Sequence, residues 1–264
     1  MFANLKNLLK YRPLIASLVA RELKARYRGS VLGFFWSFIN PLLLLLIYSF
    51  VFSIVLPARV EDIDPYALFL FCGLLPWTWF SSSVLESSNV LVSGGNLIKK
   101  VLFPAEILPI VSVLANMVHF FLGLPIVAVF LIYYRHVPTP LDLLWFPVVV
   151  AVQLLFTLGL ALIVSALTVH FRDFKDILSN LMTFWFFATP IIYPMSEAAK
   201  RGGKVFLDLN PMTHIMIPYQ EILFYNGPFG HWKWLLGLGA GSVGLFLAGY
   251  FLFDRLRDSF AEEV

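Results

Sequence analysis

The chain has 264 residues, of which 59% are apolar and only 13% are charged, and its mean hydropathy is +0.82. A chain this apolar leaves no room for a soluble catalytic domain, and its net charge of +3 does not indicate a nucleic-acid partner. The single cysteine, Cys72, lies in an apolar stretch without a CxxC partner. An internal disulfide is therefore excluded, and zinc or thiol redox chemistry has little support.

Six apolar stretches dominate the chain. A helix needs about 20 apolar residues to cross the hydrocarbon core of a bilayer. The sequence therefore predicts an all-α integral membrane protein with six transmembrane helices, at 31–56, 66–92, 107–134, 142–169, 177–194 and 232–253. Pro41 and Pro76 lie inside two of these spans and free backbone carbonyls that neighbouring helices must satisfy. Small residues at four-residue spacing in the last span predict close helix packing: Gly237 with Gly241, and Ala240 with Gly244 and Ala248.

The distribution of basic residues predicts the orientation. With both chain ends in the cytoplasm, thirteen of the 19 Lys and Arg residues lie in inner segments and six in outer ones. This asymmetry follows the positive-inside rule. A cleavable signal peptide is not expected, because the first long apolar run begins only at Val31, behind seven basic residues.

Residues 12–28 read as an amphipathic helix that precedes the first span. Apolar residues such as Leu14 and Leu18 share one side at helical spacing, while Arg21 and Arg28 lie on the other. Such a helix lies along the inner membrane surface. The alternative is a basic tail that only sets the orientation, but such a tail needs no apolar stripe.

The outer connection between the fifth and sixth predicted spans, residues 197–230, is long. Apolar clusters alternate with prolines in this segment, which predicts short helices that dip into the outer leaflet. We expect this outer gate segment to place His214 and Glu221 at the outer mouth of the protein.

Two inner connections are candidates for contact with a soluble partner. The first, residues 93–105, contains a short amphipathic stretch that could dock in a groove: Asn96, Leu97, Ile98, Lys99, Lys100 and Val101. An ordinary positive-inside loop would explain its lysines but not its exposed apolar residues. The second mixes charges and phenylalanines, and either clasps a partner or forms salt bridges at the membrane surface: Arg172, Asp173 and Lys175.

The chain contains no phosphate-binding G-x-x-x-x-G-K-[ST] motif. Active transport would therefore need an ion gradient or a separate ATPase. A gradient-driven carrier places titratable groups in the membrane, and only Glu86 and His119 are candidates. A membrane enzyme acting on lipid-linked glycans would need a convergent acid, base or metal cluster, and no such cluster is visible in the sequence. We predict no catalytic residue and no metal site.

Aromatic residues make up 17% of the chain. Aromatic rings stack on the C–H faces of sugars, which would suit a sliding glycan, but they also line lipid contacts and interfacial belts. The sequence does not decide between these two roles for the aromatic residues of the first and fifth spans: Phe34, Phe38, Tyr48, Phe52, Phe184, Phe187 and Tyr193.

Several motifs in consistent order, from about residue 12 to residue 255, resemble those of one family. They are Arg26-Tyr27-Arg28-Gly29-Ser30-Val31-Leu32-Gly33 with Trp36 and Asn40-Pro41, Gly73-Leu74-Leu75-Pro76-Trp77, Asn96-Leu97-Ile98-Lys99-Lys100 with Phe103-Pro104, Phe171-Arg172-Asp173, Thr189-Pro190-Ile191-Ile192-Tyr193-Pro194 and Leu209-Asn210-Pro211. The chain resembles the ABC-2 type permeases, and specifically the branch that exports O-antigen and related cell-surface polysaccharides.

The resemblance implies a homodimer of six-helix chains that works with two copies of a separate ATPase in a bacterial inner membrane. ATP and Mg would be bound by the ATPase, and this chain would carry no cofactor. The cargo would be a glycan on a polyprenyl pyrophosphate lipid. By this resemblance, Asn96–Val101 would be the coupling helix, 197–230 the outer gate, and the aromatic first and fifth spans the glycan path. We further expect inner cations to guide the lipid pyrophosphate: Arg26, Arg28 and Lys99.

Overall fold

The computed structural model describes residues 10–51, 55, 63–95, 104–171, 173–200, 202–225 and 228–263, with the side chains of 199, 258, 261 and 262 excepted. Within these residues the chain is helical, with no strand. The helices are α1 Arg12–Arg26, α2 Trp36–Phe50, α3 Tyr66–Ser93, α4 Ile107–Tyr133, α5 Pro140–Leu143, α6 Phe146–His170, α7 Phe174–Phe187, α8 Met195–Lys200, α9 Lys204–Leu209, α10 Thr213–Leu223 and α11 Trp232–Glu263, and a 3-10 turn at Gly33–Phe35 leads into α2.

Five of the described helical stretches are long and apolar enough to cross a membrane. They are Gly33–Phe50, Tyr66–Ser93, Ile107–Tyr133, Pro140–His170 and Trp232–Arg257. The sequence predicts one more span, at 177–194, but α7 has 14 residues and at 1.5 Å per residue extends only about 21 Å. Pro190 contributes to the early end, because the residue before a proline disfavours helical backbone.

Helix α3 is the central element of the bundle. In its apolar stretch 78% of the residues are buried, against 11% in the stretch that contains α2. α3 packs against α4, α6, α7 and α10, and it continues without a break through Pro76. Gln153 of α6 donates a hydrogen bond to the Pro76 carbonyl at 2.8 Å, so a neighbouring helix bonds the backbone at the proline.

The contact between α6 and α11 is the most extensive between two described helices. A Cβ atom on Gly249 would lie 2.6 Å from the Gly159 carbonyl oxygen, so only glycine fits where the two backbones meet. Gly237, Gly241 and Gly244 take no part in this contact, because Cβ atoms on them would meet nothing within 4 Å among the described residues, and close packing at the predicted ladder stays a prediction.

Two groups of contacts define the two ends of the bundle. At one end, Leu91, Ala105, Val169 and Phe260 share a buried cluster, which brings together the end of α3, the start of α4, the end of α6 and the end of α11. α1 lies at this end because Leu18 packs on Ile107 and Val111 at the start of α4. We call it the α1 end.

At the opposite end, contacts join the start of α3, the region around α5 and the start of α11. His136 lies 3.2 Å from the Asp64 carbonyl and 3.1 Å from the Phe224 carbonyl. The carboxylate of Asp142 in α5 accepts a hydrogen bond from the backbone N–H of Phe229 at 3.1 Å. The chain between α6 and α11 therefore starts at the α1 end and finishes at the opposite end, which we call the α10 end.

Helix α11 extends beyond its predicted end. The sixth span was expected to finish at residue 253, whereas α11 continues to Glu263. The added turns are held by Phe260, which is buried against Phe253 and His170, and by an ion pair of 3.7 Å between Arg257 and the buried Glu106. This extension ties the C-terminal helix to the start of α4.

Candidate functional sites

A polar cluster joins three helices at the α1 end. The guanidinium of Arg26 in α1 forms an ion pair with Glu86 of α3 at 2.5 Å and donates a hydrogen bond to the Oδ1 of Asn116 in α4 at 3.0 Å. The Asn116 amide in turn donates to the same Glu86 oxygen at 2.7 Å and to the Ser112 carbonyl at 3.0 Å. All three side chains thus satisfy one another, as partly buried polar groups require.

This inner cluster fixes the end of α1 against the bundle. Charge-assisted hydrogen bonds such as the one between Arg26 and Glu86 are stronger than neutral ones. Glu22, one turn earlier in α1, adds a weaker contact with Arg26 at 3.8 Å. The helix predicted to lie on the inner membrane surface is therefore also bound to two long helices by charged groups.

A groove of about 440 Å³ lies beside the inner cluster. It is bordered by α1, α3, α4 and the start of α7, and Lys175 joins Arg21, Glu22 and Glu86 along it. Lys175 and Asp173 are both exposed. Of the second predicted inner contact, the structure therefore leaves Asp173 and Lys175 accessible, whereas Arg172 lies outside the described residues.

A second polar cluster lies at the α10 end. Glu221 of α10 accepts hydrogen bonds from the backbone N–H groups of Gly230 and His231, both at 3.1 Å, and lies 3.2 Å from the His231 Nδ1. Since a carboxylate only accepts, His231 Nδ1 carries the proton. His214 completes the cluster by stacking on Trp234, with ring centroids 4.5 Å apart, and on His231 at 5.8 Å.

The two histidines of this outer cluster have fixed tautomers. His214 donates from Nε2 to the Asp208 carbonyl at 2.9 Å, which leaves its Nδ1 without a proton and without a described partner. The Nε2 of His231 is likewise buried without a described partner. Burial lowers the pKa of His214 below its ordinary value. The predicted outer-mouth residues His214 and Glu221 are thus brought together by His231, which the sequence analysis did not single out.

The turn after α7 is held by three polar side chains. Asn210 donates to the Ala188 carbonyl at 3.0 Å and accepts from the Trp185 indole N–H at 2.8 Å. Gln220 of α10 donates to the Pro190 carbonyl at 2.9 Å, and the Tyr66 hydroxyl donates to the Ile192 carbonyl. These bonds replace helical ones, so the 188–194 segment remains an ordered turn at the end of α7.

The aromatic residues predicted for a glycan path differ in exposure. Phe34, Phe184 and Phe187 have 48%, 72% and 58% of their surface exposed. Phe38 makes an edge contact with Phe34, Tyr48 packs on the core, and the Tyr193 hydroxyl donates to the Phe187 carbonyl at 3.0 Å. The exposed rings of α2 and α7 are available to a partner, lipid or cargo.

Several predicted site residues lie outside the described residues. These are all six positions of the coupling stretch, Asn96, Leu97, Ile98, Lys99, Lys100 and Val101, together with Phe52 and Arg172. Among the inner cations, Arg28 is exposed, whereas Arg26 is held by Glu86. Within the part of the chain that the structure describes, no group of three or more His, Cys, Asp or Glu residues could hold a metal ion.

The fold and the two clusters define a multi-pass, all-helical membrane protein with buried polar ties at both ends. The family model for ABC-2 type transporters matches residues 13–224, and the chain belongs to this family.

Individual relatives narrow this further. The chain is 43% identical, over the full length of both proteins, to the O-antigen export system permease protein RfbA of Myxococcus xanthus. It is 32% identical to a protein of that name from Klebsiella pneumoniae, with 94% of each chain covered. It is 22% identical to the polysialic acid transport protein KpsM of Escherichia coli, with 76% of this chain and 78% of that one covered.

Proposed function

We propose that this chain is the permease subunit of an ATP-driven exporter that moves a lipid-linked cell-surface polysaccharide across the bacterial inner membrane. Two copies would form the channel and work with two copies of a separate ATPase, which binds ATP and Mg. The proposal depends above all on one observation, the 43% identity over full length to an O-antigen export permease. Residues 1–264 would then form one transmembrane domain without catalytic residues of its own.

Six crossings with both ends in the cytoplasm agree with the two ends of the bundle. α1 packs on Ile107, and the end of α11 shares a buried cluster with Ala105, so both lie at the same end of the bundle, beside the start of α4. A chain that crossed the membrane only five times would have α1 and the end of α11 on opposite sides. The remaining crossing, the fifth along the chain, would lie between His170 and Trp232. α7 and the ordered turn that follows it would form this crossing, and α8–α10 would form the outer gate.

Coupling to the ATPase is proposed for the stretch Asn96–Val101. Its flanks are the end of α3 and the start of α4, which the inner cluster and the Glu106–Arg257 pair connect to α1 and α11. A push on this stretch would therefore reach four helices at once. Asp173 and Lys175 are exposed at the same end and would form the second contact.

The cargo would meet cations at the inner face and aromatic rings along the path. Arg28 is exposed and would attract the lipid pyrophosphate together with Lys99, whereas Arg26 would first have to leave Glu86. Phe34, Phe184 and Phe187 present exposed rings on which sugar faces can stack. Charge reversal in Arg28→Glu should then reduce export, whereas Lys204→Glu, an exposed cation of the outer gate, should not.

A gradient-driven carrier has less support from the geometry. Its best titratable candidate, Glu86, is occupied by Arg26 and Asn116, which is the arrangement of a structural tie. If Glu86→Gln abolished export while the complex stayed assembled and hydrolysed ATP, the result would favour the gradient-driven carrier. A membrane enzyme on lipid-linked glycans would need an acid, base or metal cluster, and no group of three or more His, Cys, Asp or Glu among the described residues could hold a metal ion.

The test is to purify the tagged chain from its native membrane and to measure ATP hydrolysis in the same sample. We expect a stoichiometric ATPase subunit that is lost in Leu97→Asp and Ile98→Asp. Val205→Asp is the matched control, because Val205 is an exposed apolar residue of α9 in the proposed outer gate. A wild-type chain that purifies alone and hydrolyses no ATP would contradict the proposal.

A further inference from the structure

A cavity of about 200 Å³ lies directly beside the inner cluster. The start of α2, the middle of α3 and the α1-end half of α4 form its walls, and Tyr27, which follows α1, closes one side. The cavity therefore borders the α1 end of the bundle, where the proposed lipid pyrophosphate would arrive. Since an apolar cavity of about 150 Å³ in another protein holds one benzene ring, this cavity has room for one small ring.

The polar groups that border the cavity carry no uncompensated charge. Arg26 is the one charged side chain among its described lining residues, and Glu86 and Asn116 already engage its guanidinium. Besides the His119 imidazole and two indoles, the remaining polar groups are hydroxyls and amides, including those of Ser37, Asn40, Thr78 and Ser82. Such a lining favours a neutral ligand with many hydroxyls over a free anion.

Hydroxyls at the cavity keep hydrogen-bonding capacity for a ligand. Ser37 donates to the Tyr27 hydroxyl at 2.9 Å and Thr78 donates to the Leu74 carbonyl at 2.8 Å, so both oxygens retain lone pairs that can accept. His119 also borders the cavity, and its buried Nε2 has no described hydrogen-bond partner. Buried polar atoms are normally paired, so a ligand hydroxyl within reach would satisfy this one.

Aromatic rings form the apolar part of the lining. Trp79 stacks on Phe120 with centroids 5.2 Å apart, and Trp36 is held by a hydrogen bond from its indole N–H to Ser30 at 3.0 Å. Tyr27 makes an edge contact with His119 at 5.9 Å. These rings are fixed by their neighbours before any ligand enters, and preorganised groups bind at lower entropic cost.

We infer that this cavity is a subsite for a single neutral sugar ring, the one next to the pyrophosphate of the lipid-linked glycan. The apolar face of a sugar ring would pack on the fixed aromatic rings, while its hydroxyls would bond to the neutral groups around Ser37 and Ser82. This inference rests on the proposed function and goes beyond it, because it assigns recognition of the lipid-proximal sugar to the α2–α3–α4 cavity and not to the exposed rings of the path.

The test uses the purified permease–ATPase complex and two probes, a polyprenyl pyrophosphate bearing one hexose and the same lipid without the sugar. Binding is followed by tryptophan fluorescence, since Trp36 and Trp79 border the cavity. Ser82→Phe fills the cavity. Ser81→Phe is the matched control, because Ser81 is the neighbouring half-buried serine of the same helix and does not border the cavity.

We expect the wild type and Ser81→Phe to bind the sugar-bearing lipid about tenfold more tightly than the bare lipid, which corresponds to about 1.4 kcal/mol. Ser82→Phe should bind both lipids equally. Asn40→Leu, a change at an exposed position, should weaken the preference without filling the core. A retained ATPase subunit and an unchanged unfolding temperature would show that each variant is folded.

Two results would overturn the inference. In the first, the wild type does not distinguish the two lipids, which would assign the binding to the pyrophosphate or the lipid chain alone. In the second, Ser82→Phe keeps the full preference for the sugar. Failure of the proposed function itself looks different, because then no ATPase would co-purify and the wild type would bind neither lipid.

Discussion

Each end of the bundle has a polar cluster built around one glutamate, but the two glutamates bind partners at very different distances along the chain. At the α1 end, Glu86 ties together residues that lie 60 and 30 positions away, Arg26 and Asn116, on separate helices. At the α10 end, Glu221 mainly binds residues 9 and 10 positions away, Gly230 and His231. The inner cluster therefore sets the spacing of helices, whereas the outer cluster shapes a connection.

The partners of the two carboxylates also differ in charge. Arg26, the partner of Glu86, is a permanent cation. The outer carboxylate is bonded by backbone N–H groups and an imidazole, and a second imidazole stacks beside it. The inner carboxylate is therefore bound by a fixed charge, whereas the outer one is bound by groups that include a titratable imidazole.

The largest effect is expected for Glu86→Ala. It leaves the Arg26 guanidinium and the Asn116 amide without their shared acceptor, and we expect a loss of about 2 kcal/mol in unfolding free energy, typical of hydrogen bonds to charged groups. Thermal unfolding of the detergent-purified protein measures it. Glu197→Ala is the control, because its pair with Lys200 is exposed and such pairs contribute at most about 1 kcal/mol. Equal effects of the two variants would contradict a structural inner cluster.

Exchanging the charges sharpens this result. Arg26→Glu combined with Glu86→Arg keeps an ion pair between α1 and α3, and the Asn116 amide can serve either partner as donor or acceptor. We expect the double variant to be more stable than either single one. A double variant that loses the sum of the two single losses would mean that the pair does not interact.

Glu221→Ala should have a smaller effect, about 1 kcal/mol, because its backbone donors lie near the surface where water can replace part of the lost bonds. The control is Asp208→Ala, a neighbouring carboxylate in the outer gate whose backbone, not its side chain, bonds His214. The same thermal unfolding experiment applies. A loss as large as that of Glu86→Ala would remove the distinction between the two clusters.

The boundaries of the central spans could be predicted from local signals. Helix α3 begins after Pro65 and ends before Gly94, one residue past the predicted end at 92. The end of α7 could be predicted only in part in this way, because Pro190 is a local signal whereas the bonds from Asn210 and Gln220 that hold the following turn come from residues at least 20 positions away. The extension of α11 likewise depends on Phe260, whose buried surroundings appear only after folding.

The sequence likewise predicted some residues of the inner and outer clusters but not the contacts between them. The sequence singled out Arg26, Glu86, His214 and Glu221 as polar residues in or near apolar segments, but one sequence does not state which of them meet. Arg26 was expected to be available to a pyrophosphate, whereas the fold pairs it with a carboxylate 60 positions away. His231 gave no signal beyond its residue type. Its role depends on the turn that brings it under Glu221.

The smallest expected effect is a loss of stability at acid pH that depends on His214. Burial lowers the pKa of His214 in the folded protein, while the unfolded chain keeps the ordinary value of about 6.5. Between these two values the unfolded state binds more protons, so the free energy of unfolding should fall as the pH drops below about 6.5 and be constant above it.

The groups that face His214 are His231, Asp208 and Trp234, and protonation would place a proton on a buried Nδ1 that has no described acceptor. His214→Phe keeps the stack on Trp234 and removes the titration, so its unfolding temperature should vary less with pH than that of the wild type. The control is Ser81→Ala, which removes no titrating group and should leave the acid-side slope unchanged. A slope that persists in His214→Phe would place the acid sensitivity elsewhere.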